Sequence, residues 1–416
     1  MKNIPNPYFL FPICFLLSLF VSLSASQASE FDAMVVPSLM DSDMDGWYKI
    51  PQNSDPNIHR AYSVYPGQMF NLLIFFRGYS ADKENNLHIR YDVQVYDPEG
   101  NPTVDKGANI LAYQGPMGNS GALMLNQQYL KIVFTEKYQL GTYIIKVTAY
   151  DKNSDKTFTS ETPIDLVPFA FPEKFESQER AGAWLMGYYL NPTPVKAISG
   201  VKSIVQHNTK WLGENLNILT FFRRIFINNP FLFKNIAKDF NSLSKEEQKK
   251  FVVISAISGD STLVPLITAN GQQELEKFYN SAKEIIFPDV TGEIYSGVQL
   301  DILWSEFLTT GKYEPIRKIV SALSLSKYKG TLEKIKSGQI ELTKDIEREA
   351  YLEATYGSAV WSLISNCKQM PLVFKYCVFM YENESLDEDI KSQLGSILSL
   401  AQRKIEEKRK NGKTNS

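Results

Sequence analysis

LDILWSEFLTTGKYEPIRKIVSAL, residues 300–323, reads as two helices folded against each other across a glycine turn. Leu300, Leu303, Trp304, Phe307 and Leu308 follow the 3.6-residue helical period up to Gly311. The period resumes after Pro315 with Ile316, Ile319, Val320 and Leu323. Glycine suits the left-handed position that closes a helix, and proline suits the first turn of the next. A lone hairpin cannot bury its apolar stripe, so the pattern predicts neighbours stacked on it.

Weaker copies of the same plan surround it. Met186 to Leu190 runs into Asn191-Pro192-Thr193-Pro194, and Ile227 runs into Asn228-Asn229-Pro230. Gly259 leads to Pro265, and Cys367 leads to Pro371. The turns recur at unequal intervals, so residues 177–407 are read as an irregular, solenoid-like array of α-helical hairpins. A single all-α globule with proline-initiated helices stays open, since both predict similar local contacts. Ser244-Lys245-Glu246-Glu247 and Ser385-Leu386-Asp387-Glu388 have the form of capping boxes. Residues 408–416 are polar and are expected to be a disordered tail.

Towards the N-terminus the period changes to two. Residues 69–76, 87–96, 129–134, 141–150 and 157–166 read as strands. Tyr91, Val93 and Val95 share one face, as do Tyr143, Ile145, Val147 and Ala149. No helical pattern interrupts residues 60–167, which predicts an antiparallel β-sandwich domain. Prolines at 168 and 172 mark residues 168–176 as the linker between the two domains. The fold class expected is multidomain, all-β followed by all-α.

Leu140-Gly141-Thr142-Tyr143, continuing into Ile145, Val147, Ala149 and Asp151, resembles the G-x-Y strand of immunoglobulin-like domains in bacterial exported proteins. The resemblance covers about a quarter of the chain and lacks the paired cysteines and core tryptophan of antibody domains. It implies an Ig-like architecture and, by analogy, an adhesion, spacing or docking role.

Residues 1–28 carry the pattern of a signal peptide. Lys2 precedes an apolar run over 9–23, and Ser26-Gln27-Ala28 supplies the small residues read by a signal peptidase. The run falls short of the roughly 20 residues a spanning helix needs, and no later stretch reaches that length. The expectation is an exported protein, periplasmic or extracellular, with no transmembrane segment after signal cleavage. A formal net charge of −2 gives no footprint for a nucleic-acid partner.

Residues 29–59 contain an acidic turn. Asp41, Asp43 and Asp45 followed by Gly46 match the opening of a calcium loop, where alternate carboxylates converge on one hard cation. Position twelve of that loop is Gln52 in place of the bidentate glutamate. Calcium is the cofactor expected there, against a solvated acidic turn.

Other chemistry is sparse. His59, His88 and His207 form no zinc-binding spacing. Gly118-Asn119-Ser120-Gly121 resembles the surroundings of a nucleophilic serine but is better read as a glycine-rich loop. Trp184, Trp211, Trp304 and Trp361 lie in apolar periodic runs and are expected in the core. Export makes Cys367 and Cys377 a possible disulfide, but Cys377 lies six residues of helix beyond Pro371, a rise of about 9 Å, so two buried free thiols are the favoured reading.

The functional expectation is a non-enzymatic binding or scaffold protein engaging a protein or cell-envelope component. The alternative is a hydrolase using helical carboxylates such as Glu293, Asp301 and Glu306, with a metal at the aspartate turn.

Overall fold

The computed structural model describes residues 30–40, 49–50, 58–117, 123–127, 130–206, 209–269 and 271–413. Strands occupy its N-terminal part: β1 (Asp32–Ser38), β2 (Ser63–Val64), β3 (Met69–Arg77), β4 (Asn86–Tyr96), β5 (Pro102–Pro116), β6 (Met124–Leu125), β7 (Leu130–Val133), β8 (Gly141–Asp151) and β9 (Lys156–Leu166). One sheet has β3 at its centre, flanked by β1, β6 and β7. The other runs β2-β9-β8-β4-β5. Pairing is antiparallel except for the short parallel contact of β2 with β9.

The register explains the alternation. Tyr91 faces Ala149, Val93 faces Val147 and Val95 faces Ile145, so both expected faces coincide. All six are buried, in one apolar cluster with Phe70, Leu72, Ile74 and Phe76 from the opposite sheet. Strand β3 is buried on its other face as well, where Leu73 and Phe75 meet Val36 and Leu125. A strand buried on both faces loses alternation and reads as the continuous run MFNLLIFF.

The G-x-Y motif has a visible structural job. The Tyr143 hydroxyl donates to the Gln139 carbonyl at 2.8 Å, pinning the turn that enters β8. Its ring stacks on Phe134 with centroids 4.4 Å apart. Gly141 sits at φ +142, and a Cβ there would come within 2.9 Å of Pro98.

Beyond residue 177 the chain is helical: α1 (Gln178–Gly187), α2 (Lys196–Ile204), α3 (Thr209–Glu214), α4 (Leu216–Asn228), α5 (Phe231–Asp239), α6 (Lys245–Ser258), α7 (Val264–Ala269), α8 (Gln273–Lys283), α9 (Gly297–Thr310), α10 (Tyr313–Ser321), α11 (Thr331–Lys336), α12 (Lys344–Gln369), α13 (Pro371–Asn383) and α14 (Glu388–Lys413). A 3₁₀ segment, Ala322–Tyr328, continues α10. The turns fall where the glycines and prolines place them. Gly311 adopts φ +66 and its N–H donates to the Phe307 carbonyl, closing α9. The nine apolar residues quoted from 300–323 are all buried in a single cluster that extends from Tyr188 to Ala401. Helix α4 packs against α9 across the intervening helices, so packing is not confined to sequence neighbours.

Several details differ from the sequence reading. Strand β1 lies upstream of residue 60, and β5 was hidden because its largely exposed residues give no apolar face. Helix α10 starts at Tyr313, with Pro315 inside its first turn. The box at Ser244 forms, but the one at Ser385 does not. There the helix begins at Glu388, and the Asp387 carboxylate accepts the Asp389 N–H at 2.9 Å. Helix α14 also runs to Lys413, past the boundary at 407. Trp304 is core as expected, whereas Trp361 is 73% exposed on α12. Among the described residues, no helix is long and apolar enough to cross a membrane.

Candidate functional site: a cleft between strands and helices

The segment leaving β9 brings the two parts together. Val167 N–H donates to the Val64 carbonyl at 3.0 Å, after which the chain turns onto the helices. Phe169 lies edge-on to Tyr65 at 5.5 Å and to Phe231 at 6.4 Å, while Tyr65 and Phe231 stack at 6.5 Å. Gly67 makes the approach possible, since a Cβ there would sit 3.1 Å from the Phe231 Cβ. The Ser199 hydroxyl, buried on α2, bonds the carbonyls of Pro172 and Glu173 and holds the connecting segment against the helices.

An open cleft of about 1030 Å³ runs along this junction. Ser63, Tyr65 and Gln68 line its strand side, residues 170–176 one edge, and α1 with the 191–196 turn its helical side. Ser177 caps α1 by accepting the Arg180 N–H, which fixes the direction in which that helix leaves the segment. Trp184 is held from several sides. Its indole N–H donates to Thr193 Oγ1 at 2.8 Å, and its ring stacks on Phe222 and meets Phe221 and Tyr188 edge-on. Phe175 leans on it at 5.5 Å, and Phe171 is 38% exposed nearby. Lys174, Arg180 and Lys196 set positive charge on the lining, opposed by Glu173 and Glu176. Arg180 pairs with Glu176 at 3.9 Å, and this contact is highly exposed and weak, so these side chains are available to a ligand.

The cleft offers apolar ring surface and both signs of charge, with no histidine or cysteine in its described lining. Ring faces with a few charged groups at the margin are the features by which a cleft recognises and orients a ligand. A smaller cavity of about 100 Å³ lies deeper at the junction, beside Asn71, Asn229 and Thr309. The buried Asn71 amide donates to the Met40 carbonyl at 2.7 Å, tying the β1 end of the chain to β3.

The residues singled out from sequence are dispersed. Asp41, Asp43 and Asp45, the Gly118–Gly121 loop and His207 lie outside the described residues. Burial lowers the His59 pKa, and His88 sits separately on β4. Partial desolvation raises the Asp301 carboxyl although the residue is exposed on α9. Glu306 is five residues further along that helix, about 140° around its axis, so the two carboxylates cannot converge. Among the described residues no group of three or more histidine, cysteine or acidic side chains gathers in metal-holding geometry. The cleft itself was read only as a linker. The available signal was the density of large rings at 169, 171, 175 and 184.

No protein-family model matches the chain, and no curated protein sequence matches it. Among solved structures it is similar to a family 123 glycoside hydrolase from Clostridium perfringens, studied for glycolipid glycan hydrolysis. The two are 12% identical with a TM-score of 0.19, over 34% of this chain and 28% of the hydrolase. The chain thus spans less than a third of that protein, and a likeness of this degree carries no conclusion about fold or activity.

Proposed function

We propose that this protein is an exported, non-enzymatic binding protein of the periplasm or cell exterior. Its cleft between strands and helices holds an extended polypeptide segment of a cell-envelope partner. The observation that carries the reading is the cleft lining: rings fixed by their own packing, flanked by exposed cations and carboxylates. Rings held in place lose little entropy on binding, and mixed charge suits a peptide better than a polyanion. The β-rich part is read as an Ig-like sandwich because its two sheets share one apolar cluster and Tyr143 anchors the turn into β8. The helical part is read as hairpins closed into one core, a rigid wall for the cleft, since α4 and α9 pack across their neighbours. Calcium at Asp41, Asp43 and Asp45 belongs to this proposal on the sequence motif alone. Absence of a calorimetric calcium signal, or the same signal after Asp43→Ala, removes it.

The test is site-specific photo-crosslinking in the cell envelope. A crosslinker at Phe171 or Arg180 should capture one reproducible partner through a mapped linear segment, and Trp184→Ala should abolish that capture. A crosslinker at Lys344, on α12, is the control. Equal capture from Lys344, or capture that survives Trp184→Ala, would overturn the assignment.

A further inference from the structure

Cys367 and Cys377 stand closer than their places in the chain suggest. Cys367 lies near the end of α12 and Cys377 lies inside α13. Met370 is extended at φ −119, ψ 99, and Pro371 opens α13, so the second helix folds back along the first. A continuous helix would have separated the two residues; this reversal brings their sulfurs to 3.7 Å. Both residues are buried, at 1% and 0% exposure. The Tyr376 hydroxyl donates to the Gly311 carbonyl at 2.8 Å beside them, which fixes α13 against the turn between α9 and α10.

We propose that Cys367 and Cys377 are a disulfide-forming pair that locks α12 to α13 when the chain meets a disulfide oxidant. A disulfide needs sulfurs about 2.05 Å apart, and in this proposal rotation of Cys367, near the end of α12, closes the remaining distance from the observed contact. The co-reactant is a protein or glutathione disulfide. One cysteine thiolate attacks it and expels a thiolate, and the second cysteine attacks the resulting mixed disulfide at the chain's own sulfur. Two S–H bonds are lost as two protons, and two electrons reduce the oxidant to two thiols. The hydrogen bond with the Cys367 thiol, together with burial, raises the pKa of Cys377, so Cys377 reacts slowly once folded. The bond therefore forms during folding, once the α12–α13 turn has brought the sulfurs together and before the surrounding core closes over them. None of this rests on the cleft reading.

The experiment is refolding of the full chain in mixed oxidised and reduced glutathione, followed by alkylation and tryptic mapping. Lys368 and Lys375 lie between the cysteines, so trypsin separates them unless a disulfide joins the peptides. The expected result is a linked Cys367–Cys377 peptide pair, two hydrogens lighter than its parts, that separates on reduction. The melting midpoint of the oxidised chain should rise by a few degrees over the reduced chain. It should not respond to oxidant in a Cys367→Ser, Cys377→Ser double variant. Full alkylation of both cysteines after oxidative refolding, or pairing of either with Cys14, overturns the proposal.

Discussion

The Tyr313 hydroxyl donates to the Glu384 carboxylate at 2.6 Å, joining the first turn of α10 to the residue that closes α13. Arg317 reaches the same carboxylate at 3.3 Å, and the Lys49 ammonium lies 4.5 Å from the Tyr313 ring centroid. The hairpin at 300–323 is thereby held from two sides, one of them the chain leading out of the acidic turn. Tyr313→Phe keeps the ring and removes only the donor. It should cost about 1–2 kcal/mol, read as a lower urea midpoint with unchanged slope. Arg317→Ala, whose side chain is 52% exposed, should cost less, about 0.5 kcal/mol. Equal losses would mean that the tyrosine hydrogen bond is not the stronger tie.

Gly311 makes a second, purely conformational prediction. Its φ of +66 lies in the left-handed region, yet an added Cβ would approach nothing closer than 3.6 Å. The cost of a side chain is therefore backbone strain, not crowding. Gly311→Ala should destabilise by about 1 kcal/mol, and Gly311→Asn by less, because asparagine tolerates this conformation better. Thermal midpoints ranked in any other order would argue against a left-handed closure of α9.

Legibility in the sequence followed periodicity. The hairpins were readable because Leu300, Phe307, Ile316 and Ile319 mark one face and Gly311 breaks it. Strands β4 and β8 were readable because Val93 and Val147 alternate with half-exposed neighbours. Strand β5 was not, since an edge strand with Val104 at 84% exposure lacks that contrast. The cleft was invisible for a different reason. Arg180 and Trp184 lie one turn apart on α1, but Phe171 reaches them only through the path of an irregular segment, which leaves no period. Cys367 and Cys377 are buried free thiols as expected, but their distance is set by the reversal at Met370 and not by rise along a helix.

The start of α6 couples a cap to an ion pair. The Ser244 hydroxyl accepts the Glu247 N–H, and the Glu247 carboxylate accepts from the Ser244 N–H and bonds Lys202 at 3.2 Å. Burial pushes the Glu247 carboxyl up, but the Ser244 hydrogen bonds and Lys202 outweigh it and leave the pKa below the usual value. A lowered folded pKa contributes stability above the unfolded value of about 4.3, lost as pH falls through the folded value. Ser244→Ala should cost about 1 kcal/mol. Glu247→Gln should be more damaging at neutral pH than in acid, and the two losses should not add. A pH-independent loss for Glu247→Gln, measured by denaturant titration, would sink the coupling.

Alkaline pH tests the packing of the cores as a whole. Burial raises the Tyr91 and Tyr189 phenols to about 12, and raises Tyr188 as well. Tyr138 is also raised to about 12, chiefly because its hydroxyl donates to the Asp105 carboxylate at 2.6 Å. These groups are neutral in the folded chain over a range where unfolded tyrosine, with a pKa of about 10, has ionised. The unfolded chain therefore binds fewer protons there, and stability must fall as pH rises. The contribution is complete below pH of about 10 and disappears as pH climbs through the folded values. Phenolate absorbance should consequently rise in two stages, with the second coinciding with loss of helical circular dichroism. Tyr138→Phe should remove one phenol from the late stage, since it lacks the group that Asp105 holds protonated. A single smooth titration completed near the free-tyrosine value, with helicity intact, would show that these rings are not packed as described.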